Sequence, residues 1–254
     1  MKSNWIKYVF VIFIIIILVF AIYIIRRDET EKQQEEAYTA SNQDSRVKEI
    51  KLGIANFDTI NPILSNNKNV QNITKLIYEP LVNLTSDYKA EPCLATEWAK
   101  ESDNSYLIKL RENVRWSDGQ SFTAQDVKFT IDRLKDTNTI YSANVQDVTG
   151  IDIVDDYTVR INLSKEVPFF EYNLTFPILS SSYYQGEDFA TTSKNSSPVG
   201  TGEFKITDVQ SSYITLSKNT SWWNKEKDSI LETITVNLYS SVGELYNSFK
   251  IGNL

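Results

Sequence analysis

Asp118 and Asp126 are the carboxylates whose closeness in sequence suggests paired acid–base work, one giving a proton while the other takes one. Each also has a structural job. Asp118 precedes Gly119, and Asp-Gly is a turn signal with glycine at a position that favours positive φ. Thr123 and Asp126 have the spacing of a helix capping box, with Asp in place of the usual Glu or Gln. Turn formation and capping account for both carboxylates without catalysis. Nucleophilic chemistry has less support still. The chain has one cysteine, Cys93, and no histidine, which excludes Ser–His, Cys–His and zinc–His sites. A lone cysteine forms no internal disulfide. Pro198-Val199-Gly200-Thr201-Gly202 is the other segment with chemical character. Its glycines expose backbone N–H and C=O groups and permit close approach by another chain. No Gly-Lys-Ser/Thr follows, so it is not a phosphate loop. The residues predict no enzyme, no cofactor and no metal site.

The elements that must position these residues are mixed. Lys48 to Ile54 reads as a strand, and Val70, Ile73 and Ile77 share a helix face that leads to Tyr78. Tyr106, Ile108 and Leu110 alternate as in a half-buried strand. Thr123 opens a helix whose buried face is Ala124, Val127, Ile131 and Leu134. Asp155-Asp156 is a turn, after which Tyr157, Val159, Ile161 and Leu163 alternate with polar residues. Ile214 and Leu216 mark one strand, and Ile234, Val236 and Leu238 another. Ser241 and Glu244 form a full capping box before a helix with Val242, Leu245 and Phe249 on one face. The class is mixed α/β. The sequence stops at Gly252-Asn253-Leu254 with no closing strand, which predicts an interrupted domain.

The chain has 254 residues, enough for one large domain or two small ones, and its 41% hydrophobic and 23% charged content is ordinary for a globular protein. A net charge of -7 without a basic stripe argues against a nucleic-acid partner. Tyr8 to Ile25 is an uninterrupted apolar or aromatic run. As a helix it spans ~27 Å, close to the hydrocarbon core of a bilayer. Residues 1–27 are therefore read as a transmembrane anchor, with the membrane as a partner through residues 8–25. A cleaved signal peptide is the alternative, but its apolar region is shorter and ends in small residues. Here Arg26 and Arg27 follow, and Ala37 and Ala40 lie far downstream. The positive-inside charges on the two sides nearly balance. Residues 28–47 are polar, lack apolar periodicity, and are expected to form a solvated stalk.

The stretch LRENVRWSDGQSFTAQDVKFTIDR, Leu110 to Arg133, resembles a characteristic region of the family 5 solute-binding proteins, the oligopeptide-, dipeptide- and nickel-binding group. Ile60-Asn61-Pro62 is similar to that family's Leu-Asp-Pro element, with Asn61 for Asp. Tyr78-Glu79-Pro80-Leu81, Pro92 to Trp98, Asp155 to Val159, Pro198 to Phe204 and Asn219 to Trp223 resemble further elements. The resemblance covers residues 48–254. It implies the first lobe of a two-lobed, periplasmic-binding-protein-like (type II) clamshell, preceded by one transmembrane helix. Residues 48–85 and about 190–254 would be pieces of the main subdomain, and about 86–190 an inserted subdomain.

The resemblance also implies a function. The chain would be the extracytoplasmic peptide-binding component of an ABC importer, working with permease subunits, with residues 28–254 outside the cytoplasm. A truncated lobe would not be binding-competent alone. Two alternatives stand: a membrane-anchored peptide receptor or sensor without transport, and a non-functional split-gene fragment. Asn66, Asn67 and Lys68 follow Pro62 in a loop that lines the cleft of related peptide binders, where polar amides pair with a peptide backbone. Tyr141 falls in a variable loop that contributes an aromatic contact. Gly200, Thr201 and Gly202 lie near cleft and hinge, either as ligand contacts or as a crossover between subdomains. Trp116, Trp222 and Trp223 are expected to pack, with ligand contact as the second reading for Trp116.

Overall fold

The computed structural model describes residues 48–254, together with Tyr23, Ile24, Arg26, Arg27, Glu29, Thr30, Lys32 and Gln33. The chain divides into two units, 1–47 and 48–254. Apart from Tyr23 and Ile24, the expected anchor at 8–25 lies outside the described residues. Most of the expected stalk at 28–47 does too. Among the described residues no helix is long and apolar enough to cross a membrane. Glu29, Thr30, Lys32 and Gln33 are helical where the polar stretch predicted no ordered element. The reason is local, since Glu, Lys and Gln are good helix formers even without an apolar face.

The second unit runs β1 (Glu49–Ala55), α1 (Lys68–Thr74), β2 (Val82–Leu84), β3 (Ala90–Pro92), β4 (Ala95–Ser102), β5 (Ser105–Leu110) and α2 (Ala124–Asp136). It continues with β6 (Val148–Asp155), β7 (Thr158–Leu163), β8 (Phe204–Val209), β9 (Tyr213–Lys218), β10 (Thr233–Tyr239) and α3 (Val242–Lys250). One four-stranded sheet has the order β1-β10-β9-β8 and the other β4-β5-β7-β6, while β2 and β3 form a separate pair. β1 runs parallel to β10, with Glu49 opposite Thr233 and Ala55 opposite Tyr239. The second sheet is antiparallel throughout.

The period-two pattern of β7 sends Val159, Ile161 and Leu163 inward, and β5 does the same with Tyr106, Ile108 and Leu110. α2 lays its buried face of Ala124, Val127, Ile131 and Leu134 against this sheet, in contact with β6 and β7. Burying each of Val127, Ile131 and Leu134 contributes about 1.5–3 kcal/mol, which is why the helix stays docked. Residues from both sheets share one apolar core that also takes in Trp116, Phe122, Phe170 and Phe176.

The last helix departs from its pattern. Ser241 caps α3 by accepting from the Glu244 backbone N–H at 3.2 Å. The Glu244 carboxylate returns to Ser240, not to the cap residue, accepting from its N–H at 2.9 Å and its hydroxyl at 2.7 Å. Val242 and Phe249 are 66% and 69% exposed, against the expectation of a buried face. Leu245 does reach in, where its side chain occupies the space that a Cβ on Gly53 would need. The spacing placed three residues on one side correctly, but only the middle of that side meets β1.

Candidate functional site

A cleft of about 600 Å³ with buried polar walls is bounded by α1, the turn after it, β2, the loop at Tyr141, and the segments at Thr175 to Pro177, Gly202 to Glu203 and Trp222. Its position follows from local structure. Asn67 caps α1, accepting from the Asn69 N–H at 2.9 Å. α1 then turns, and an isolated bridge between Pro80 and Pro177 closes one side.

Gln71 projects from α1 and anchors the polar wall. Its amide donates to the carbonyls of Pro62 at 2.8 Å and Ser65 at 2.7 Å. Its Oε1 accepts from the Tyr141 hydroxyl at 2.7 Å. Tyr141 is half-buried, and burial raises its phenol above the usual value. Thr74, one α1 turn further on, donates to the Gln71 carbonyl at 3.1 Å.

Glu79 forms the deepest charged group of the lining and is only 7% exposed. Two indoles hold it: Trp222 Nε1 donates to Oε1 at 3.0 Å, and Trp223 Nε1 donates to Oε2 at 2.8 Å. The Arg111 guanidinium stacks on the Trp223 ring, 3.9 Å from its centroid. Burial pushes the Glu79 carboxyl above its usual range, while the two indole bonds and the nearby Arg111 charge pull it back. Glu203 is a second carboxylate on the wall, half-buried and accepting from the Ser229 N–H at 2.8 Å.

The expected contact residues distribute unevenly. Tyr141 and Gly202 line the cleft. Asn66 and Lys68 are exposed on the loop leading into α1 and are not part of the lining. Asn67 is committed to the fold at both ends of its amide, since Nδ2 also donates to the carbonyls of Ala55 at 2.8 Å and Asn56 at 2.7 Å. Thr201 is buried at 1% exposure. The close approach permitted by Gly200 and Gly202 is used by the chain itself. A Cβ on Gly200 would lie 2.0 Å from the Ile77 carbonyl oxygen, and one on Gly202 would lie 2.6 Å from that of Leu76. Gly202 N–H donates to Ile77 O at 2.8 Å, and Phe204 N–H to Leu76 O at 2.9 Å.

The remaining motif residues are structural. Trp116 is 1% exposed, donates to Asp126 Oδ2 at 3.2 Å and meets Phe122 edge-on. Asp118 closes its turn by accepting from the Gln120 N–H at 3.0 Å. Gln71, Glu79 and Glu203 were not foreseen as wall residues. Glu79 and the two tryptophans each stood inside a recognisable element, but nothing in sequence says that those elements meet.

Arg111, Trp116, Gly202 and Trp222 all fall within residues 89–253, which match the model of the bacterial extracellular solute-binding proteins, family 5 Middle. The periplasmic murein peptide-binding protein MppA of Escherichia coli is 28% identical over 184 residues, covering 63% of this chain and 33% of that protein. The periplasmic oligopeptide-binding protein OppA of Salmonella typhimurium is 27% identical over 207 residues, covering 72% of this chain and 38% of that protein. Among solved structures, NikZ from Campylobacter jejuni in complex with Ni(L-His) superposes with a TM-score of 0.71 at 25% identity, over 82% of this chain and 42% of the other. The chain thus spans 33% and 38% of the length of the two curated relatives. The mixed α/β fold and the matched span agree: this chain belongs to the family 5 bacterial extracellular solute-binding proteins, which bind solutes and are not enzymes.

Proposed function

We propose that this chain is the peptide-binding component of an ABC importer and that its cleft at Gln71, Glu79, Tyr141 and Trp222 receives the solute. The family match over residues 89–253 carries this reading. Two relatives named for murein peptides and oligopeptides favour peptides over other cargo. On this reading residues 48–254 are the first lobe of a two-lobed clamshell. Residues 48–85 and about 190–254 form its main subdomain, and about 86–190 its insert. The division of strands supports this, since β1 and β8 to β10 make one sheet and β4 to β7 the other. The apolar run at 8–25 tethers the lobe to the membrane and leaves residues 28–254 outside the cytoplasm, where they meet permease subunits. Gly202 contributes backbone to the wall beside Tyr141, while Asn66 and Lys68 approach a bound peptide from the neighbouring loop.

One lobe covers one side of a solute. We therefore expect an affinity weaker than about 1 μM for the 254-residue chain alone. The test is NMR on the full chain in detergent, titrated with a pool of tri- to pentapeptides. Amide signals of Gln71, Tyr141 and Gly202 should shift more than those of the remote β6–β7 turn at Asp155 and Asp156. Equal small shifts everywhere would defeat the assignment of this cleft.

A further inference from the structure

Gln71, Thr74 and Tyr78 follow one another at helical spacing. The Tyr78 N–H donates to the Thr74 carbonyl at 2.8 Å, so the helical spacing carries past the end of α1, and all three residues line the cleft. Gln71 and Thr74 have placed their protons, Gln71 on the Pro62 and Ser65 carbonyls and Thr74 on the Gln71 carbonyl. Tyr78 has not. It is 2% exposed, and its buried hydroxyl has no hydrogen-bond partner among the described residues. Buried polar groups are nearly always paired, because an unpaired one loses its hydration and gains nothing back. Burial, with the Tyr184 and Tyr183 phenols nearby, holds the Tyr78 phenol well above its usual range, so its proton stays on as a donor. Lys75 and Asn83 also bring donors to the lining, but Lys75 is exposed and Asn83 half-buried, so water serves them.

We propose that the Tyr78 hydroxyl is a recognition group of this cleft, donating to a neutral carbonyl oxygen of the solute, that of a peptide bond. The proposal rests on the reading of the cleft as the peptide site and adds a residue that reads the cargo there. The hydroxyl is closed to water in the free chain, so the solute oxygen meets it by displacing a neighbouring wall side chain. A donor already served by water gains little from a solute. A buried donor without a partner gains a whole hydrogen bond. The acceptor is neutral for two reasons. A carboxylate would have to give up its hydration for a single donor, and it would share the wall with Glu79 and Glu203.

The experiment compares the full chain with Tyr78→Phe, both in detergent. Each is titrated with trialanine and with its two monothioamide analogues, in which sulfur, a weaker acceptor, replaces one amide oxygen. Binding is followed by the amide shifts of Gln71, Tyr141 and Gly202. Tyr78→Phe should bind trialanine about tenfold more weakly, while its denaturation midpoint stays level or rises, since the ring is kept and an unpaired hydroxyl is removed. One of the two thioamides should bind the natural chain severalfold more weakly than trialanine, and that gap should close in Tyr78→Phe. A lowered midpoint would show that the hydroxyl serves the fold and would overturn the proposal. Shifts at these amides with equal trialanine affinity in both proteins, or with both thioamides binding the natural chain like trialanine, would overturn it and leave the peptide site standing. No shift at these amides with any of the three peptides would overturn both.

Discussion

Two buried carboxylates in this chain are each held by tryptophan, yet they do different work. Asp126 at the start of α2 is 2% exposed. It accepts from Trp116 Nε1, from the Thr123 N–H at 2.9 Å, and from both the N–H and the hydroxyl of Ser181 at 2.8 Å. Its lone pairs are consumed by the fold. Glu79 has its two indoles and a cleft beside it. The difference is between a carboxylate that closes a structure and one that borders an opening. The same residue chemistry becomes scaffold or surface according to how many donors the fold supplies.

The largest test of that contrast is stability. Asp126→Ala orphans Trp116, Thr123 and Ser181 donors in a dry interior and should cost about 3–5 kcal/mol in chemical denaturation. Glu79→Ala orphans two indoles next to a wet cleft, where water can satisfy them, and should cost about 1–2 kcal/mol. Equal losses would erase the distinction. Binding gives the next largest effect. Glu79→Ala should weaken peptide affinity about tenfold, whereas Asp126→Asn, measured under conditions where it is folded, should change it less than about twofold. A larger effect at Asp126 would mean that α2, and not the cleft wall, governs recognition.

Acidity supplies the finest test. Burial raises both carboxyls above their ordinary values of 4.5 for Glu79 and 3.8 for Asp126, against the pull of their hydrogen bonds. A raised carboxyl holds its proton more tightly folded than unfolded. Its contribution to stability is present at low pH and is lost as pH rises from the ordinary value through the raised one. Glu79→Gln and Asp126→Asn should each flatten the pH dependence of the denaturation midpoint on that rise. An unchanged slope in both variants would show that neither group titrates there.

Part of this arrangement was legible in the sequence. The Thr123–Asp126 spacing announced the start of α2, and the Ala124, Val127, Ile131, Leu134 face buried as its period required. β7 behaved likewise, because strict alternation admits one inward face. The wall was less readable. Gln71 meets Tyr141, and Glu79 meets Trp222 and Trp223, across long separations that no local period encodes. The glycine pair, read either as a ligand contact or as a crossover, is approached closely by residues 76 and 77 of the chain itself. The α3 face shows the general limit: spacing tells which residues share a side and says nothing of what lies opposite.

The parallel pairing of β1 with β10 also sets an order in time. Glu49 must find Thr233, and nearly all of the second unit lies between them. At typical synthesis rates β10 follows β1 from the ribosome by roughly 10–40 seconds. The β4–β5 and β6–β7 hairpins close over short loops, so the second sheet has its partners long before the first. The strand that leads the second unit is among the last to be paired, and for that interval Ile50, Leu52 and Ile54 must be kept from the wrong company.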